Sequence, residues 1–203
     1  MEAKTSRRRA RPTVTEQARQ VQIITAATET IAELGYAHAS FAQIARRAGL
    51  SSTGLISYHF ASKQELDSAV VAEIYRRLSQ HMAAAMAGIA SPAAALVAYI
   101  RGLIGFMKIE PFALRAMIAI VMHGGFDYNA DSERNAVAGI SAILRWGQAE
   151  GSFREFDIQV MATTIQRSLD GIPLAQSVNP DLDLDAYARE LVDLFTLATQ
   201  QRD

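Results

Sequence analysis

Apolar positions recur at helical spacing along nearly the whole chain, and no run shows the strict alternation of a half-buried strand. Ala18, Val21, Ile24, Ala27, Ile31 and Leu34 form a first stripe, which Thr15 opens as an N-cap and Gly35 closes. Two very short helices follow, one from Ser40 through Phe41, Ile44 and Ala45 to Gly49, the other from Ser51 to about Tyr58. Ser62 and Glu65 stand at capping-box spacing ahead of a stripe of Leu66, Val70, Ile74 and Leu78. Ser91-Pro92 reads as a cap with proline at the first helical position; Glu110-Pro111 starts a helix that Gly124-Gly125 stops. A long helix spans about Ser132 to Glu150, ahead of Gly151. Ile158, Met161, Ala162, Ile165, Leu169 and Ile172 make a stripe stopped around Pro173, and Leu184, Tyr187, Ala188, Leu191, Leu194, Phe195 and Ala198 make the last. The pattern predicts an all-α chain of about nine helices.

Composition narrows this further. With 203 residues, half of them apolar, the chain can bury a real core as one good domain or two small ones. There is no cysteine, hence no disulfide framework, thiolate metal site or cysteine nucleophile. The uncharged run from Met82 to Ile100 is mostly alanine and is broken by Gly88 and Ser91-Pro92, so it reads as two helices and not as a membrane span. A cytoplasmic protein is expected. The net charge of -1 hides a split: residues 1–63 hold nine Lys/Arg against four Asp/Glu, and residues 64–203 hold eleven against seventeen. A basic first third on an acidic remainder suits a nucleic-acid-facing head on a body with another task.

The chemistry sits in the first third. Two short helices joined at Gly49 suggest a helix-turn-helix, with Ala45 small at the crossing, Gly49 free to take positive φ, and Leu50 plugging the core. Leu55 and Ile56 are left for packing. Ser52, Thr53, Gly54 and Ser57 are small positions able to lie against base edges or phosphates, while Tyr58, His59 and Lys63 are donors grouped at a helix junction. Lys63 also falls at a helix N-terminus, whose free N–H groups favour a phosphate. Arg46 and Arg47 fit either electrostatic steering or a solvated face, and Arg7 to Arg11 either a solvated tail or a minor-groove arm.

These residues resemble the TetR-type bacterial transcriptional regulators. The resemblance runs through Gly35-Tyr36, Ser40-Phe41-Ala42-Gln43-Ile44-Ala45, Ala48-Gly49-Leu50-Ser51, Leu55-Ile56-Ser57-Tyr58-His59-Phe60 and Ser62-Lys63-Gln64-Glu65-Leu66, about a quarter of the chain. It implies an all-helical homodimer: a basic arm over 1–14, a DNA-binding head over 15–61, and a ligand-binding, dimerising body over 62–203. It also implies DNA contacts at or near Ser40, Thr53, Ser57, Tyr58, His59 and Lys63. The residue between Leu55 and Tyr58 is often bulkier in that family, so Ile56-Ser57 leaves base preference unread. Gly147 with Glu150-Gly151-Ser152-Phe153-Arg154, and Leu169-Asp170-Gly171-Ile172-Pro173-Leu174-Ala175, are similar to the subgroup containing the betaine–choline pathway repressor.

For the body, Met82, Met86, Met107, Met117, Met122 and Met161 with Tyr99, Phe106, Phe112, Phe126, Tyr128 and Trp146 fit an adaptable apolar pocket, though a plain helical core uses the same residues and more often accounts for any one of them. His123 is the polar group expected to meet a small-molecule effector. The last two stripes pack either within the monomer or against their copies in a four-helix interface. Catalysis is not expected: the four histidines lack metal-ligand spacing, and there is no phosphate-cradling glycine loop. The expected partners are therefore an operator duplex, an effector and a second copy through the two C-terminal helices, with no cofactor, metal or membrane. A sequence-neutral architectural DNA binder is the alternative, and an all-helical enzyme a more distant one.

Overall fold

The structure, a computed structural model, describes residues 13–201, so the arginine-rich arm lies outside the described residues. Ten α-helices and one 3-10 turn make up its regular structure, with no strand among the described residues. The head comprises α1 (Val14–Leu34), the 3-10 turn Tyr36–His38, α2 (Phe41–Arg47) and α3 (Gly54–His59); the body comprises α4 (Lys63–Ala85), α5 (Pro92–Ile109), α6 (Ala113–Met122), α7 (Ala130–Ala149), α8 (Ile158–Asp170), α9 (Ile172–Val178) and α10 (Leu184–Thr199).

Several boundaries differ from the expected ones for identifiable reasons. The cap of α1 is Thr13, not Thr15: its hydroxyl accepts from the Glu16 N–H while the Glu16 carboxylate accepts from the Thr13 N–H, a complete capping box. Ser62 caps α4 by accepting from the Glu65 N–H, but the Glu65 carboxylate reaches back to the Ala61 N–H, so the return bond lands one residue early. Helix α3 begins at Gly54 and not at Ser51. Pro173 starts a helix where it was expected to stop one, since Ile172–Val178 carries proline in its first turn and Ile172 belongs to it.

The stripe of α1 is also rotated. Ile23, Ala26, Ala27, Thr30 and Ile31 are buried, while Val21 and Leu34 are 53% and 41% exposed. The helix packs on α2, α4 and α6 together, so it needs a broad buried face, and Thr30 fits there by donating to the carbonyl of Ala26 at 2.6 Å. Helix α5 is the centre of the body. It is long and apolar enough to cross a membrane by length and composition, yet it packs against α4, α7, α8 and α10 with half of that stretch buried. Gly102 lets Met82 and Ala85 of α4 approach it closely.

Candidate nucleic-acid interface

In the head, Ser40 caps α2 by accepting from the Gln43 N–H, and the chain reverses through Ala48-Gly49-Leu50. Gly49 has φ +63°, where a side chain would be strained, and the Leu50 N–H donates to Ala45 O at 2.9 Å. Gln22 of α1 braces the turn from behind, donating to Ala48 O at 2.6 Å. Ala45 and Ile56 are buried, which fixes α2 and α3 against α1 and turns the opposite face of α3 to solvent.

That outward face presents Ser52, Thr53, Gly54, Ser57 and Tyr58, all exposed, with His59 half-buried beside them. Tyr58 is 68% exposed; its hydroxyl donates to Glu16 at 3.3 Å and its ring meets His59 edge-on at 5.0 Å. Glu16 was not anticipated as part of this surface. Its bonds to Thr13, with Tyr58 and His59 adding to them, hold its carboxyl below the usual value, so it stays ionised and anchors Tyr58. Arg46 is exposed and donates to Gln43 at 2.5 Å.

Two basic residues are engaged inward. Arg47 bonds Glu33 and, at 3.3 Å, Glu29, tying α2 to α1 instead of projecting outward. The Lys63 ammonium donates to Ala39 O at 3.1 Å and lies 4.1 Å above the ring of Tyr36. Such a contact suits a cation over an aromatic face, and an ammonium with three donors keeps capacity for a phosphate. Around Lys63 the head meets the body. The Tyr36 hydroxyl donates to Asp67 at 2.7 Å, His123 stacks on the Tyr36 ring at 5.2 Å, and Arg115 of α6 donates to Ala32 O at the end of α1. Burial, then the bond to Asp67, pushes the Tyr36 phenol up to about 12.

The structure does not gather the residues expected to face an effector. Phe106 and Met107 are core residues, Met122 is 77% exposed, and Met82, Met86 and Met117 are half-buried against the core. His123 faces the head through Tyr36, whereas Trp146 donates to Glu150 at the end of α7. Phe126 packs half-buried against the core, and the Tyr128 hydroxyl bonds Glu133 and Arg167. Instead, a polar chain unseen in the sequence runs through the body. The Tyr99 hydroxyl donates to Gln166 at 2.8 Å, and Gln166 donates to Asp170 at 2.8 Å. Arg167 then joins Asp170 to Glu133. Burial pushes the Tyr99 phenol up to about 12, so it stays a donor.

On α8, α9 and α10, Val160, Leu174, Val178, Leu194 and Leu197 are exposed, between 55% and 81%. An open, shallow groove lies along α8, lined by Gln159, Val160, Thr163, Thr164, Arg167 and Ser168.

Residues 23–70 match the family described as bacterial regulatory proteins, tetR family. Over 102 residues, half of each chain's length, the sequence is 36% identical to the HTH-type transcriptional regulator BetI of Cronobacter sakazakii. Over 68 residues it is 41% identical to that of Stenotrophomonas maltophilia, covering 34% of each. The chain thus spans half or less of these relatives. Its fold is that of a tetR-family regulatory protein from Rhodococcus RHA1 (TM-score 0.78, 20% identity, 91% of this chain and 98% of the other). The fatty acid degradation regulator FadR of Bacillus halodurans is similarly close in fold (TM-score 0.76, 20% identity, 87% and 93%).

Proposed function

We propose that the chain, whose residues 23–70 match the bacterial tetR family of regulatory proteins, is a ligand-responsive transcriptional regulator of that kind. It acts as a repressor, binding a near-palindromic operator as a dimer and leaving it when the body takes up a small molecule. The observation that carries this reading is the outward face of α3. Small polar residues stand there on a helix fixed from behind by Ile56 and the Gly49 turn, with Tyr58 anchored at its end. Side chains of that size let a helix lie deep in a major groove, and the flanking donors suit phosphates.

Ser52, Thr53, Gly54 and Ser57 face the bases in this reading. Ser40, Arg46, Tyr58, His59 and Lys63 meet the backbone, and Arg47 serves them indirectly by fixing α2 to α1. The exposed apolar residues of α8, α9 and α10 favour a second copy as the partner, which would take them out of water. In the body, the half-buried Tyr99 and the buried Gln166 are the polar groups best able to orient an effector between helices. The relatives' name suggests no effector beyond those proteins themselves.

Fluorescence anisotropy against the duplex upstream of the protein's own coding region, with a scrambled duplex beside it at two salt concentrations, tests the reading. Tight binding to the upstream duplex alone is expected. Equal, steeply salt-dependent binding to both would replace it with an architectural role.

A further inference from the structure

Asp67 is fully buried near the start of α4, and it is the one described side chain with a buried polar atom, Oδ1, that has no hydrogen-bond partner. Its other oxygen accepts from Tyr36. Three segments close on that bond: the 3-10 turn of the head through Tyr36, α4 through Asp67, and the turn after α6 through Gly125. A side-chain carbon on Gly125 would stand 2.8 Å from the Tyr36 hydroxyl and 2.9 Å from the Asp67 carboxylate. The groups that titrate or carry charge around it are few. Tyr36 bonds it, Lys63 lies one turn back on the same helix, His123 stacks on the far side of the network through Tyr36, and Arg115 is engaged by Ala32.

We propose that Tyr36, Asp67 and Gly125 form a proton-sensitive latch between head and body, closed when Asp67 is neutral and loosened when it ionises. A carboxylate sealed from water with one oxygen unpartnered is costly; the neutral acid in the same place is much less so. Burial accordingly pushes the Asp67 carboxyl above its usual 3.8, against the pull of Tyr36 and Lys63. Two consequences follow for DNA, both resting on the regulator reading above. A loosened head must be re-ordered on the duplex, which weakens binding. Ionised Asp67 also draws the Lys63 ammonium inward, away from a phosphate. Affinity for DNA therefore falls as pH rises through the titration of Asp67, and binding takes up a proton.

The first test needs no DNA. Protection of the amides of His38, Ala39 and Gly125, each hydrogen-bonded in the closed joint, is followed by hydrogen exchange from about pH 4 to about pH 8, corrected for intrinsic exchange. The full chain should lose protection severalfold with rising pH. Asp67→Asn should be flat, and Lys63→Ala, which removes the cation that favours ionised Asp67 but no part of the latch bond, should lose protection at higher pH. Parallel profiles in the full chain and Asp67→Asn would overturn the latch, whatever the protein binds. Duplex affinity measured over the same range is the second test. A pH dependence of the anisotropy that Asp67→Asn leaves unchanged, beside a normal exchange profile, would show a latch that does not reach DNA and overturn its regulatory half. An unfolded Asp67→Asn leaves Lys63→Ala to decide by the direction of its shift.

Discussion

Replacing Gly147 with alanine sets two opposing effects against each other, and the structure says which prevails. Within a helix, glycine to alanine gains up to about 1 kcal/mol through backbone entropy. At Gly147, however, the added carbon would stand 2.0 Å from the ring of Phe153, whose side chain is 4% exposed. Overpacking of that kind costs about 1–3 kcal/mol where the neighbour can shift. Expelling the ring altogether approaches the cost of losing a buried phenylalanine, about 3–5 kcal/mol. Phe153 has little room to shift, because its own N–H donates to Gly147 O at 3.0 Å and so ties the ring to the residue it would have to leave. The net expectation is a loss of about 2–4 kcal/mol, after the helix gain is subtracted from the steric cost. In a thermal melt at fixed protein concentration that is a drop of about 4–16 °C for a chain of this length. The damage should spread. Arg154 next door donates its N–H to Thr199 O and its guanidinium to Ala198 O, so the same loop fixes α10, and self-association should weaken along with stability. A Gly147→Ala protein that melts at or above the parent temperature would refute the packing argument.

Other substitutions separate the remaining claims. Lys63→Ala should weaken binding to specific and scrambled duplexes alike and lower the salt slope by about one; an unchanged slope would mean the ammonium stays on Tyr36 and Ala39 when DNA is bound. Leu194→Glu with Leu197→Glu should convert the proposed dimer to monomer in light scattering while leaving helicity intact, since both side chains are more than half exposed in the single chain; a surviving dimer would overturn the placement of the interface on this helix. Ser62→Ala removes the hydroxyl that accepts from Glu65 and should cost about 1 kcal/mol in urea denaturation, with no loss counting against a capping role.

Helix type, order and approximate ends were legible because they depend on local physics: 3.6-residue periodicity, caps and glycine stops. The errors share a cause as well. The buried face of α1 is set by three neighbours at once, and periodicity within one helix cannot say how wide that face must be. Pro173 is ambiguous in isolation, because proline ends one helix and begins another with the same residue. The exposed face of α3 was readable from size and polarity within one short segment. Arg47 and Lys63 were read as free cations because their partners lie 14 to 18 and 24 residues away, on elements that only the fold brings near.

The residues expected to meet an effector were the least legible, and the reason is chemical. Methionines and aromatics look alike in a core and in a pocket, so their abundance selects neither. What distinguishes a sensing body is a buried polar group that an apolar core would not need. Tyr99, Gln166 and Asp170 come from two helices, the tyrosine and the glutamine 67 positions apart, so no window of sequence contains the pattern. The head–body joint has the same character, with Tyr36, Asp67 and Gly125 on three segments. It also changes how a signal must travel. If α4 alone carried the head, a shift of α4 would swing it freely. Because α1 packs along α6 and Arg115 holds its last turn, any movement of the head must also break or carry contacts with α6. A small molecule that favours one arrangement of α6 over another therefore has a direct energetic hold on the position of the head, provided it binds the two arrangements with different affinity.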